Sequence, residues 1–203
     1  MDYVWYASYG SNLLESRFHC YISGGTPEGS TKEEIGCTNP AVPLKVAPLT
    51  IPYEMYFSEY SHRWGGGVAF INTVRDPSIR TYGKKYLITE EQFEQIVQQE
   101  NNNANMKIDL ELAKKVHSYS FSDSWYGNIL YLGEAEGYPI FTFTDNRDIT
   151  EKKITPPSLA YLKNIYRGLI DLYKDDKNLL DYLYVRKGVA EAYSITDLEK
   201  ALS

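Results

Sequence analysis

The run Val4-Trp5-Tyr6-Ala7-Ser8-Tyr9 ends on Gly10-Ser11-Asn12-Leu13, and no other stretch constrains the fold as much. Aromatic and β-branched residues favour an extended, pleated chain. Glycine permits a sharp bend and a close approach by another group, while Ser and Asn carry short side-chain oxygens that cap a following turn or helix. The run is therefore read as a first strand delivering a turn. Such a turn gathers several backbone N–H groups suited to a carboxylate or an oxyanion. On pattern alone, an ordinary strand and turn explains the same residues.

A chain of 203 residues suits a single domain with one core, long enough to bury most of its apolar surface without disulfides or metals. Hydrophobic residues at 43% and charged residues at 24% sit near globular averages, which disfavours disorder. No apolar run approaches the roughly 20 residues that span a bilayer. The formal net charge of −6 argues against nucleic acid or an anionic membrane as main partner, since both reward clustered Lys and Arg. A small molecule is the expected partner. Acidic Asp2 followed at once by a strand does not read as a secretory signal. Cys20 and Cys37 lack the dense spacing of a secreted disulfide scaffold, so the expected compartment is the reducing cytoplasm. The nineteen tyrosines supply hydroxyls able to line a polar pocket.

Along the chain, Leu14 to Phe18 mixes polar and apolar residues, and Ser23 to Pro40, rich in Gly, Pro, Thr and Glu, reads as a surface loop. His19 and Cys20 adjoin each other on what reads as extended chain, where neighbours point opposite ways, and give a weak metal signal. Leu44 to Leu49 and Tyr53 to Phe57 read as short strands confined to edges or bends by Pro48 and Pro52. Trp64-Gly65-Gly66-Gly67 opens onto the β-forming run Val68 to Ile71. With no Gly-Lys-Ser/Thr after it, the triplet reads as a bulge or a close backbone approach rather than a phosphate cradle. Tyr82 to Ile88 reads as a strand feeding a helix that starts at Glu90, because Thr89-Glu90-Glu91-Gln92 is a capping box.

That helix buries Phe93, Ile96 and Val97 as one stripe. Glu100 lies seven positions beyond Phe93 and so within about 20° of it, which projects a carboxylate from the apolar face. Burial raises a carboxylate's pKa and prepares it to take and return a proton near neutral pH. A frayed helix end at Asn101-Asn102-Asn103 would instead leave Glu100 in water. Beyond it, Asn102 to Ser124 forms an insertion with a short helix at Asp109 to Val116, read as a lid or substrate-selecting flap. His117 within it is read as a surface residue. Asn128 to Gly133 and Tyr138 to Thr144 read as a hairpin across Glu134-Ala135-Glu136-Gly137, whose glutamates are solvated. Thr155 is the expected cap of the main C-terminal helix, with stripe Leu159, Leu162, Ile165, Leu169 and Leu172. Asn178 to Tyr184 continues as a short helix, and Thr196 is expected to cap a last one.

Tyr9-Gly10-Ser11-Asn12-Leu13 resembles the YGSNL signature of the γ-glutamylcyclotransferase family. Further stretches agree in order. Trp64 to Ile71 resembles a signature of Trp, Gly-Gly and an apolar strand, Tyr82-Gly83 a strand opening on an aromatic and Gly, and Pro156-Pro157-Ser158 with Tyr161 the last signature. Ile96-Val97-Gln98-Gln99-Glu100-Asn101 stands in the register of the family's Leu-Asp-x-x-Glu-Gly motif, with Val97 and Asn101 replacing the Asp and Gly and the glutamate retained.

The sequence by itself supports one α+β domain, 1–203, with the insertion at about 102–124. The resemblance implies a small mixed β-barrel or strongly curved sheet surrounded by helices. It implies an enzyme without metal or organic cofactor, in which the α-amino group of a small γ-glutamyl substrate attacks its own γ-carbonyl to give 5-oxoproline and a released amine or amino acid. Glu100 takes the catalytic place, and Tyr6, Tyr9, Gly10, Ser11, Asn12, Tyr126 and Tyr161 the substrate-binding places. Two other classes stay open: a small-molecule binding protein that keeps the pocket without turnover, and a hydrolase on Cys20 or a Ser, which lacks a suitably spaced His and acid.

Overall fold

The computed structural model describes residues 2–28, 30 and 32–202. The first strand, β1 (Tyr3–Ser8), is central because both of its faces are apolar: Trp5 and Ala7 point into one core cluster, Val4 and Tyr6 into the other. That alternation is the period of a pleated strand. β1 pairs antiparallel with β5 (Thr81–Thr89) and parallel with β8 (Tyr138–Thr144). With β2 (Lys45–Ile51), β6 (Ser118–Ser120) and β7 (Asn128–Ala135), they form a mixed six-stranded sheet in the order β2-β5-β1-β8-β7-β6. β3 (Tyr53–Ser61) and β4 (Gly66–Arg75) make a separate hairpin.

On one face, the hairpin packs with α4 (Leu159–Leu172), α5 (Leu179–Tyr184) and α6 (Ile195–Leu202). The other face is covered by α1 (Glu15–Ser23), α2 (Glu90–Glu100) and α3 (Leu110–Val116). The architecture is α+β, and no helix among the described residues is long and apolar enough to cross a membrane.

The sheet is not closed into a barrel, which corrects one of the two expected forms. Where a barrel would continue the ladder from β8 to β4, hydroxyls do the bridging. Thr144 Oγ1 accepts from Ile71 N (3.2 Å) and donates to Ile71 O (2.7 Å). Tyr161 Oη accepts from Ala69 N (3.2 Å), and the Tyr126 hydroxyl donates to Ala69 O (3.2 Å). The polar backbone of β4 is thus satisfied without a further strand, as a buried edge requires, and the separation leaves room for a cavity.

Local expectations fare unevenly. The Thr89 capping box is complete and α2 begins at Glu90; Pro48 sits in the sheet-edge strand β2. The Gly triplet is a close approach: a Cβ at Gly67 would lie 2.0 Å from Thr155 O, and Gly67 N donates to Pro156 O (2.8 Å). Residues 155–157 are therefore held against β4, and the cap of α4 is Ser158, whose hydroxyl accepts from Tyr161 N, not Thr155. Likewise Ser194, paired with Asp197, starts α6 in place of Thr196.

His19 and Cys20 lie within α1 rather than on extended chain, and no group of three or more His, Cys, Asp or Glu arranged to hold a metal is found among the described residues. The β7–β8 loop is shorter than expected, with Glu136 and Gly137 both at positive φ (55° and 81°), the conformation of a two-residue hairpin. Glu136 pairs with Lys45. Most of the insertion packs into the fold rather than standing free of it. β6 extends the main sheet beside β7, Ala113 of α3 is buried in the second core cluster, and Met106, Ile108 and Leu110, half-buried, pack against it.

Candidate active site

A cavity of about 240 Å³ opens between the end of β1, the β3–β4 hairpin and the C-terminus of α2. Every residue expected of the site lines it: Tyr6, Tyr9, Gly10, Ser11, Asn12, Glu100, Tyr126 and Tyr161. The turn after β1 is a single 3₁₀ turn, Ser11–Leu13, fixed by Leu13 N donating to Gly10 O (3.0 Å) and by the Tyr86 hydroxyl donating to Asn12 O (2.8 Å). α4 presses on it from outside. Gly168 makes that approach possible, since a Cβ there would lie 2.3 Å from Leu13 C and 2.5 Å from Leu14 N.

The buried stripe Phe93, Ile96 and Val97 anchors α2 and aims Glu100 inward at its last turn. Asn12 Nδ2 donates to Glu100 Oε1 (3.3 Å) and to Tyr6 Oη (3.2 Å), so turn, strand and helix meet at one amide. The Tyr21 hydroxyl is placed to donate to the same carboxylate. Burial pushes the Glu100 carboxyl above the ordinary range, and Glu34 adds to the rise; the Arg17 guanidinium and the bonds from Tyr21 and Asn12 oppose it. The phenols of Tyr6, Tyr9, Tyr21, Tyr126 and Tyr161 are all raised, first of all by burial, so at neutral pH they remain protonated donors.

The replaced motif positions have local explanations. Asn101 takes an ordinary right-handed conformation (φ −94°) and its amide donates to Val97 O and Tyr126 O, pinning the helix end to the segment before β7. The left-handed residue is Asn102 (φ 50°), and Asn tolerates that region. Val97 faces core and needs no polar partner.

Sequence reasoning missed the charged side of the site. Arg17 and Tyr21 project from α1 into the cavity; Arg17 Nε donates to Ser11 Oγ (2.9 Å) and Nη2 to Tyr21 Oη (3.2 Å). Glu34, from the segment expected to be surface loop, is buried and accepts from Arg63 Nη1 (2.6 Å), with Arg17 Nη1 4.0 Å away. Both guanidiniums lie over the Trp64 ring, Arg17 at 5.0 Å and Arg63 at 6.0 Å from its centroid. The available signal was Arg17-Phe18 followed four residues on by Tyr21-Ile22, a helical spacing that sets a polar pair beside an apolar one.

No family model matches the sequence. The chain is 37% identical over 186 residues to histone deacetylase 5 of Arabidopsis thaliana, covering 83% of this chain and about 28% of the length of that relative. Among solved structures, it resembles an uncharacterized human protein (TM-score 0.54, 19% identity, 98% of this chain and 99% of the other). It resembles equally a protein described as gamma-glutamyl cyclotransferase (TM-score 0.52, 17% identity, again 98% and 99%). At such identities the likeness speaks for architecture, and the chain has a γ-glutamyl cyclotransferase-like fold.

Proposed function

We propose that this chain is a γ-glutamyl cyclotransferase that converts the γ-glutamyl group of a small substrate to 5-oxoproline. The observation that carries the reading is the Glu100 carboxyl, which lines the cavity with its pKa raised by burial, beside the Asn12 amide and the turn after β1. An ammonium is not a nucleophile. Glu100 removes a proton from the substrate's α-ammonium and the freed nitrogen attacks the γ-carbonyl carbon; the bond to the leaving nitrogen breaks as that nitrogen receives the proton from Glu100, which then takes the second proton from the ring nitrogen. N–H groups of the Tyr9 to Asn12 turn serve the substrate carboxylate or the developing oxyanion. The tyrosine-lined walls hold the substrate folded so that amine and carbonyl meet, which removes much of the entropic barrier.

The deacetylase name of the plant relative describes a protein of which this chain spans about 28%, and it forms no part of the proposal. The test is incubation with a panel of γ-glutamyl compounds and detection of 5-oxoproline by mass spectrometry. Release of free glutamate would indicate a hydrolase, and absence of any product across the panel would remove the reading.

A further inference from the structure

Glu34 is a buried carboxylate that the proposed reaction does not use. It comes from the segment after α1, its side chain is 3% exposed, and it does not line the cavity. Such a charge in the interior is costly unless it is answered. Its partners are the two guanidiniums: it accepts from Arg63 Nη1 (2.6 Å), and Arg17 Nη1 stands 4.0 Å away, too far for a hydrogen bond. Arg17 is placed by other means, since its Nε donates to Ser11 Oγ (2.9 Å) and its Nη2 to Tyr21 Oη (3.2 Å). It thus braces both the turn after β1 and the phenol that reaches Glu100. The backbone of Glu34 is fixed separately, by paired bonds with Gly25 (Glu34 N to Gly25 O, 2.9 Å; Gly25 N to Glu34 O, 3.0 Å).

A guanidinium in that place brings a difficulty. A general base works best when its carboxyl protonates near the working pH, and a cation nearby favours the ionised form. Burial and, after it, Glu34 disfavour the ionised form of Glu100; Arg17 and the hydrogen bonds from Tyr21 and Asn12 favour it. Tyr6 from β1, Tyr126 from the segment before β7 and Tyr161 from α4 also face this carboxyl, and burial keeps these phenols protonated and uncharged. Arg63 and Lys32 are the other charged residues lining the cavity.

We propose that Glu34 is a positioning residue of this site, acting through Arg17: it answers the guanidinium charge, so that Arg17 can brace Ser11 and Tyr21 without its field holding Glu100 as a carboxylate. The inference rests on the cyclotransferase reading for the use of Glu100 as a base; the charge arrangement itself does not. Because Glu34 makes no hydrogen bond to Arg17, Glu34→Gln changes the charge around that guanidinium without removing a bond from it. The Gln oxygen can still accept from Arg63 Nη1.

The experiment follows the Glu100 carboxyl directly. Its infrared C=O band is titrated in the wild type and in Glu34→Gln, with the matching Glu100→Gln protein subtracted in each case. In parallel, kcat/KM for 5-oxoproline release is measured across pH, which reports the groups of the free enzyme. In Glu34→Gln the titration and the acid limb of kcat/KM should both move to lower pH, by roughly threefold to tenfold in proton affinity, the effect of one charge acting through a medium of effective dielectric about 20. Glu34→Asp, which keeps the charge, should titrate close to the wild type. Should Glu34→Gln alone fail to fold, Glu34→Gln combined with Arg63→Gln removes one charge of each sign. The titration should still move to lower pH there, because Arg63 lies outside the leading influences on Glu100. An unmoved titration in Glu34→Gln with a loss of Tm alone would assign Glu34 to holding its segment and overturn the inference, as would an equal downward shift in Glu34→Asp. A titration that moves while the acid limb stays, or with no 5-oxoproline from either protein, would uphold the role of Glu34 and sink Glu100 as the base of a cyclotransferase.

Discussion

Replacing Glu100 with Gln separates catalysis from binding and from stability. The substitution preserves volume, and the Gln oxygen still accepts from Asn12 Nδ2, the bond that spans 3.3 Å in the wild type. What disappears is proton exchange. A general acid-base group contributes about 10²- to 10⁴-fold, so kcat should fall by that factor, equivalent to roughly 3–5 kcal/mol of barrier at 1.36 kcal/mol per decade. KM should change little, because the lost interaction belongs to the transition state.

Stability should move the other way. A carboxyl whose folded pKa is raised binds protons more readily in the folded state than in the unfolded one, so its contribution worsens as pH rises from the unfolded value through the folded one. Gln carries no such penalty. The variant's Tm should therefore match or exceed the wild type at pH 7, and the gap should close as the pH drops below the ordinary carboxylate range. At this chain length about 1 kcal/mol appears as roughly 2–4 °C. Assays of 5-oxoproline release and of Tm across pH 4 to 8, run on both proteins, decide the matter. Retained turnover in Glu100→Gln would refute the catalytic assignment, and a large fall in Tm would show that the carboxylate serves the fold.

Asn12→Ala removes a hydrogen bond that lowers the Glu100 pKa, so the acid limb of the kcat/KM profile should move to higher pH; a limb that stays put would place Asn12 outside the control of that proton. Gly168→Ala sets a Cβ within 2.5 Å of the turn backbone and should cost about 1–3 kcal/mol while lowering kcat, because the displaced segment carries Ser11 and Asn12; a variant equal to wild type in Tm and turnover would show that the approach is slack. Lys152→Met strips a buried ammonium from Asp145 (2.7 Å) and Glu59 (2.6 Å) and should cost about 3 kcal/mol, read as a drop in Tm. Burial pushes the Asp145 carboxyl up, but bonds from Arg147 and Lys152 hold it below the ordinary value. Its stabilisation is present above the unfolded pKa and lost as pH falls through the folded one, so the Tm difference between Lys152→Met and wild type should narrow in that acid range.

How far the site could be read from sequence depends on how local each cause is. The strand before Gly10, the box at Thr89 and the carboxylate seven residues after Phe93 rest on neighbours within two turns or one pleat, and all appear where their patterns put them. The caps at Ser158 and Ser194 were displaced from Thr155 and Thr196, in the first case because Phe57 O and Gly67 N hold residues 155 and 156 in extended chain, partners about ninety positions away. The insertion reads as a lid because it follows α2, yet its apolar residues turn to the core: Ala113 is buried in it, and Met106, Ile108 and Leu110 pack against it. Of the insertion at about 102–124, Asn102 alone lines the cavity. Buried apolar side chains fix where a segment goes more firmly than its position in the chain does.

The charged rim shows the same limit from the side of electrostatics. A net charge of −6 describes a mean over the whole surface, and fields beyond about 10 Å are screened at ordinary salt. What a ligand meets is local: Arg17, Lys32, Arg63 and Glu100 line the cavity, drawn from α1, the segment after it, the β3–β4 turn and α2, with Glu34 buried behind the two guanidiniums. None of these residues stands near another cation of the group in sequence, so no basic run announces them. An acidic chain can thus line a cavity with three cations, and the sign of the whole molecule says little about the charges around that cavity.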